Sequence, residues 1–243
     1  LKDYIMKDLV LERYLNGDYL KNNPDWISHD SDWKAQNVLK LLEDNFFQPQ
    51  TICDVGCGSG KVLETIRKSN PSVGLTGYDI SPDAKLFWDR LQQNDITFKA
   101  GDFLILNNEK FDLILLLDVL EHIADPHKFL SDIKEKANYL VIHFPLDLSV
   151  ISVLRESPLL YVRRKVGHIH YFTKGLALEL LNECGFEIIS HQYTNAYSST
   201  PERSIKTKLF GIVRSFFSLF GQDFGAKLLG GQTLMVLVKV NLQ

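Results

Sequence analysis

A short apolar run, Thr51-Ile52-Cys53-Asp54-Val55, ends in the cluster Gly56-Cys57-Gly58-Ser59-Gly60 and passes directly into Lys61–Lys68, whose Val62, Leu63 and Ile66 share a helical face. This succession of strand, glycine turn and helix constrains the fold more than any other feature of the chain, because it reads as the opening βα step of a parallel sheet. The alternation then repeats. Val73–Ile80 is a second strand, followed by a helix with Ser81 as cap and Pro82 in its first position. Ile96–Ala100 is a third strand, and Phe111–Leu117 is apolar almost throughout, as a central strand covered on both faces must be. A helix opens at Asp125-Pro126, a fifth strand covers Tyr139–Pro145, and Thr173 caps a helix ended by Gly185. Strands at Phe186–Tyr193 and Leu234–Val240 complete the set.

Upstream, Ser31-Asp32 supplies capping chemistry for a helix over Trp33–Glu43 with Val38, Leu41 and Leu42 inward. Strands alternating with helices give an α/β, Rossmann-like, doubly wound sheet whose ligand crevice lies beyond the carboxyl ends of the strands. The expected organisation is one domain over 1–243: a helical cap at 1–45, a cofactor-binding core at 46–145, substrate-side segments with a lid at 146–232, and a last strand at 233–243.

The glycine turn is G-x-G-x-G, with Lys61 where a dinucleotide fingerprint places its third glycine. Asp54 stands just before the first glycine, an awkward neighbour for a pyrophosphate but a favourable one for an ammonium or sulfonium. Asp79 closes the second strand, where a carboxylate either accepts from two ribose hydroxyls or caps the following helix. At the end of the third strand, Asp102-Phe103 reads either as a plain turn or as an adenine contact, the carboxylate taking the amino proton while the ring covers the base. Asp118-Val119-Leu120-Glu121-His122 ends the fourth strand.

Asp54 to Gly60, Tyr78-Asp79-Ile80-Ser81, Gly101-Asp102-Phe103 and Phe111 to His122 together resemble the consecutive motifs of class I S-adenosylmethionine (SAM)-dependent methyltransferases, most closely the ubiquinone-biosynthesis-type branch acting on small molecules. Gly167-His168-Ile169-His170-Tyr171-Phe172-Thr173 and Cys184-Gly185-Phe186-Glu187 are similar to that branch as well. The resemblance runs from about Trp33 to Tyr193; Leu234–Val240 fits an antiparallel seventh strand, and 195–232 is longer than a minimal connection. It implies SAM as cofactor, with S-adenosylhomocysteine (SAH) as product. It also implies that Gly56, Cys57, Gly58 and Gly60 pass under the methionine and ribose, and that Asp79 with Ile80 and Ser81 holds the ribose. By the same resemblance Asp102 and Phe103 hold the adenine, Asp118 and Val119 lie near the methionine ammonium, and Trp33 and Lys34 close over the ligand.

Methyl transfer is an in-line displacement that depends on holding the acceptor against the methyl carbon, and some acceptors also require a base. The candidates for that proton are His122, His168, His170 and Tyr171, while His143, mid-strand, reads as a satisfied core histidine. His122 reads either as a base or as a brace for its turn. His168 and His170 are two apart and on an extended segment point the same way. No metal is expected: Cys53 and Cys57 lack a partner pair at zinc spacing, and no third ligand accompanies His168 and His170.

Leu146–Val166 carries Arg155, Arg163, Arg164 and Lys165 and reads either as a solvated loop or as a cationic wall for an acidic acceptor. Ser204–Phe220 has one apolar helical face, suited to packing on the core, to roofing a lipophilic pocket or to a peripheral membrane contact. A formal charge of −3 gives no general attraction to nucleic acid, and an Asn/Asp-Pro-Pro-aromatic stretch is absent after the fourth strand. No apolar run is long enough to span a bilayer and no signal-peptide pattern opens the chain, so a cytoplasmic monomer or homodimer is expected. The rival readings are a SAM-binding regulator without turnover and an NAD(P)-dependent reductase.

Overall fold

The structure, a computed structural model, describes residues 11–24, 28–89, 91, 95–194 and 221–241. The Ser204–Phe220 stripe lies outside the described residues. A seven-stranded sheet runs in the order β3-β2-β1-β4-β5-β7-β6, built from β1 (Thr51–Val55), β2 (Gly74–Asp79), β3 (Ile96–Ala100), β4 (Phe111–Leu117), β5 (Ala137–Leu146), β6 (Phe186–Thr194) and β7 (Gln232–Val240). Neighbours from β3 through β5 pair in parallel, and β7 inserts antiparallel between β5 and β6. The order reverses between β1 and β4, and in open α/β sheets ligands bind outside the carboxyl ends of the strands at such a switch point.

The apolar run of β4 is explained by the pleat. Ile114 and Leu116 join one core cluster and Leu113, Leu115 and Leu117 the other, so alternate side chains fill opposite faces. Strand β7 divides likewise, with Leu234, Val236 and Val238 on one side and Met235 and Leu237 on the other. Helices α2 (Ser31–Asp44) and α3 (Lys61–Ser69) cover the second cluster through Val38, Leu41, Leu63 and Ile66, following the short α1 (Asp18–Asn22). Helix α5 (Pro126–Ile133), preceded by the single turn α4 (Phe103–Leu106), brings Leu130 and Ile133 to the first cluster.

Some expectations are corrected. The cap of α2 is Asp30 without a side-chain bond, and Asp32 instead accepts from Thr65 Oγ1 at 2.5 Å, tying α2 to α3. The segment after Ser81 is a 3-10 helix over Pro82–Phe87 rather than an α-helix. Leu146–Val166 is largely helical: α6 (Val150–Arg155) opens with a Ser149/Ser152 capping box, and α7 (Ser157–Lys165) carries Arg163, Arg164 and Lys165 in its last turn, where cations complement the helix dipole. Helix α8 (Lys174–Glu183) starts from the Thr173 cap as expected, and α9 (Gln222–Leu229) precedes β7. No helix among the described residues is long and apolar enough to cross a membrane.

Candidate active site

The loop after β1 is held by two backbone bonds, since Gly56 N and Cys57 N donate to Tyr78 O at 2.7 and 3.0 Å. Gly56 and Gly60 have φ of +81° and +75°, and a Cβ on Gly56 would stand 2.9 Å from Val119 Cγ2. Gly60 is tighter: its Cβ would meet the Phe98 ring at 2.6 Å. Gly60→Ala is therefore expected to lower the unfolding free energy by about 2 kcal/mol in urea denaturation, through strain rather than lost contacts. Cys57 is buried in the same turn, and Cys53 is buried on its strand.

Asp79 organises this loop. Its Oδ2 accepts from Gly58 N and its Oδ1 from Ser81 N, both at 2.8 Å. Burial pushes its carboxyl up to about 6, against the pull of those two N–H groups. Burial raises Asp54 further, to about 7; the Lys34 ammonium opposes the rise and Asp79 adds to it. Two costly carboxylates thus flank one glycine loop at the sheet's carboxyl edge. Ile80 lies half-buried beside them, and Ser81, 1% exposed, caps the 3-10 turn.

Asp118 adopts φ of +56° at the end of β4. Its Oδ2 meets Lys34 Nζ at 2.7 Å and its Oδ1 accepts from His143 Nδ1 at 2.5 Å. Burial alone would raise the Asp118 carboxyl, but Lys34 and His143 outweigh it and hold the group well below the carboxylate range. His143 Nε2 reaches Thr194 Oγ1 at 3.0 Å, and Trp33 stands edge-on to the His143 ring at 5.8 Å. Trp33 and Lys34 thus gather at Asp118, with the Lys34 ammonium on the carboxylate expected near a ligand ammonium.

Asp102 Oδ1 accepts from Leu104 N at 2.8 Å and caps α4. The Phe103 ring, 3% exposed, packs edge-on against Tyr78 within the core. The ring expected over a base is turned inward, because a residue following an N-cap at this strand end faces the sheet.

The four proton-handling candidates separate into two groups. His170 Nε2 donates to Ile123 O at 2.9 Å and the Tyr171 hydroxyl donates to Leu159 O at 3.2 Å, so both brace backbone. His122 and His168 come together, with ring centroids 5.0 Å apart. The expected common direction of His168 and His170 fails for a local reason. Ile169 N and His170 N both donate to Glu121 O, at 2.8 and 3.1 Å, and this shared carbonyl bends the segment out of the extended form. Burial, then the neighbouring His168, depresses His122 to about 3, so its imidazole is neutral at physiological pH. Between the two histidines lies Glu121, 0% exposed, which the sequence places in a motif without giving it a role. Arg164 and Lys165 line a separate cleft of about 430 Å³ with Asn22 and Tyr161.

A sequence profile of the family described as "Methyltransferase domain" matches residues 27–191. A tRNA U34 carboxymethyltransferase of Sulfurimonas denitrificans is 31% identical over 110 residues, covering 43% of this chain and 37% of that protein. A ubiquinone biosynthesis O-methyltransferase of Glaesserella parasuis is 29% identical over 126 residues, 45% of this chain and 52% of that protein. The match therefore spans about half or less of the length of these curated relatives. Among solved structures, the plantazolicin methyltransferase BpumL, in complex with a monoazolic desmethylPZN analog and SAH, aligns with a TM-score of 0.65 over 99% of this chain and 97% of that one, at 18% identity.

Proposed function

The chain belongs to the class I SAM-dependent methyltransferase family, and from that membership we propose that it moves a methyl group from SAM to an oxygen, nitrogen or carbon of a small molecule. The observation that carries this reading is the pair of buried carboxylates, Asp54 and Asp79, that flank the glycine loop. A cationic nucleoside relieves the burial cost of those groups, whereas a pyrophosphate would add like charge.

When bound, SAM supplies an electrophilic methyl carbon on a sulfonium. The protein's part is to bind and align. Asp79 keeps acceptor capacity for two ribose hydroxyls beyond its backbone bonds, and Asp102 keeps its second oxygen for the adenine amino group. Asp118, the Asp54 edge and Lys34 position the amino-acid end. Alignment of the acceptor with the methyl carbon supplies much of the rate. A histidine as weakly basic as His122 makes a poor proton acceptor near neutrality, so acceptors that need little deprotonation suit it best. A formal charge of −3 favours a small molecule over a polynucleotide.

Calorimetry tests the reading. The full chain is expected to give saturable heat with SAH and none with NADH, and binding of NADH alone overturns the assignment. A shift of the SAH-loaded protein by bulk tRNA at micromolar concentration overturns the small-molecule half.

A further inference from the structure

Glu121, His122 and His168 form a cluster in which neither imidazole turns a ring N–H toward the carboxyl group. The His122 Nδ1 atom faces Gly167 O at 3.1 Å, and a carbonyl only accepts, so the ring proton sits on Nδ1 and the lone pair on Nε2. His168 Nδ1 likewise donates to Asp147 Oδ2 at 2.6 Å, which again turns a lone pair out on Nε2. Both Nε2 atoms stand 3.9 Å from the same atom, Glu121 Oε1. Neither Glu121 oxygen has a hydrogen-bond partner among the described residues, and the side chain is 0% exposed. Two imidazole lone pairs and one buried carboxyl group therefore converge on one point; burial, then the Asp118 charge, pushes that carboxyl well above its ordinary range, and a bound cation would satisfy all three groups at once.

We propose that Glu121, His122 and His168 bind a divalent transition-metal ion, such as Zn2+ or Mn2+, through two imidazole nitrogens and one carboxylate oxygen. The ligand atoms all lie within 4.8 Å of one another. Ligands about 2.1 Å from a shared ion stand about 3.0–3.5 Å apart, so small side-chain rotations of about half an ångström close the set. The outer partners match what metal-binding histidines require: each ring donates its other N–H, one to a carboxylate and one to a backbone carbonyl, which fixes tautomer and orientation. Tyr14 closes one side, its ring edge-on to His122 at 5.9 Å. Mixed imidazole and carboxylate donors suit zinc or manganese better than magnesium or calcium, and three protein ligands leave coordination positions for water or an acceptor oxygen. The site does not depend on the methyl-transfer reading, because binding is measurable without SAM or acceptor.

The test uses the full chain, freed of metal by chelator, titrated with Zn2+ by calorimetry and with Co2+ by visible absorption. One equivalent is expected, with a d–d band from mixed nitrogen and oxygen ligation. Glu121→Gln and His168→Ala should each weaken binding by at least about 100-fold, and Asp147→Asn, which only disturbs orientation, by about 10-fold. His127→Ala removes an exposed histidine that pairs with Glu183 at 3.1 Å and should leave affinity unchanged. Circular dichroism and SAH binding report that each variant is folded. Absence of stoichiometric Zn2+ binding overturns the proposal, as does equal affinity in Glu121→Gln and His168→Ala. A Glu121→Gln protein that melts higher than wild type with no response to metal identifies Glu121 as a protonated buried carboxyl instead.

Discussion

Asp79→Ala is expected to weaken SAH binding on the order of 1000-fold, or roughly 4 kcal/mol. Two losses combine in this figure. The first is direct: a carboxylate accepting from two ribose hydroxyls makes charge-assisted bonds worth roughly 1.5–3 kcal/mol each. The second acts through the loop, because Asp79 also accepts from Gly58 N and Ser81 N at 2.8 Å. Without those bonds the strand-to-helix turn loses the brace that sets its distance from β2, and two N–H groups are orphaned in a site where Asp79 is 8% exposed. Asp79→Asn separates the terms, since its amide oxygen keeps one backbone bond while the charge is gone. It should fall between wild type and Asp79→Ala in calorimetry. An Asp79→Ala protein that is folded and binds SAH within threefold of wild type removes Asp79 from the site.

The sheet was legible because its signals are local. Strands β1, β3 and β4 have the expected bounds, each being a β-favouring or apolar run closed by a turn. The helices of the lid were not legible. Helices α6 and α7 are six and nine residues long and meet at Glu156, whose φ of +52° breaks the periodicity that a sequence reading depends on. Helix α9 carries Gly225 within its span and ends at Gly230-Gly231, composition that reads as loop. At the site, the carboxylates at strand ends were readable because the parallel strands β1 to β5 all end on one edge. The inward turn of Phe103 was not, because it depends on Asp102 capping α4. The convergence on Glu121 was hidden for a different reason. It requires the 167–170 segment to fold back on the turn after β4, a contact across about 45 residues that only the shared Glu121 carbonyl reveals.

Asp54→Asn is expected to stabilise the ligand-free protein by an amount that grows with pH, and to weaken ligand binding. Asp54 is 2% exposed, and burial lifts its carboxyl from 3.8 to about 7 in the folded chain. Between those values the folded protein holds a proton that the unfolded chain has released, so stability falls as pH rises through the window and levels off above 7. A shift of this size corresponds to about 4 kcal/mol. His122 works the other way, since a ring depressed to about 3 gains stability as pH rises to its unfolded value. Asp79 adds to the Asp54 trend. These groups remain in both proteins, so the difference between wild type and Asp54→Asn isolates Asp54. Chemical denaturation at pH 4 to 8 should show the difference near zero at pH 4 and about 4 kcal/mol in favour of the variant at pH 8. A ligand carrying an ammonium lowers the Asp54 carboxyl on binding and releases its proton, so wild-type affinity for SAH should tighten from pH 5 to 7, and the variant should keep only the part of that slope that Asp79 contributes. A flat stability difference across pH would mean that Asp54 is ionised at no cost, and the charge complementarity assigned to the glycine loop would then lack its main support.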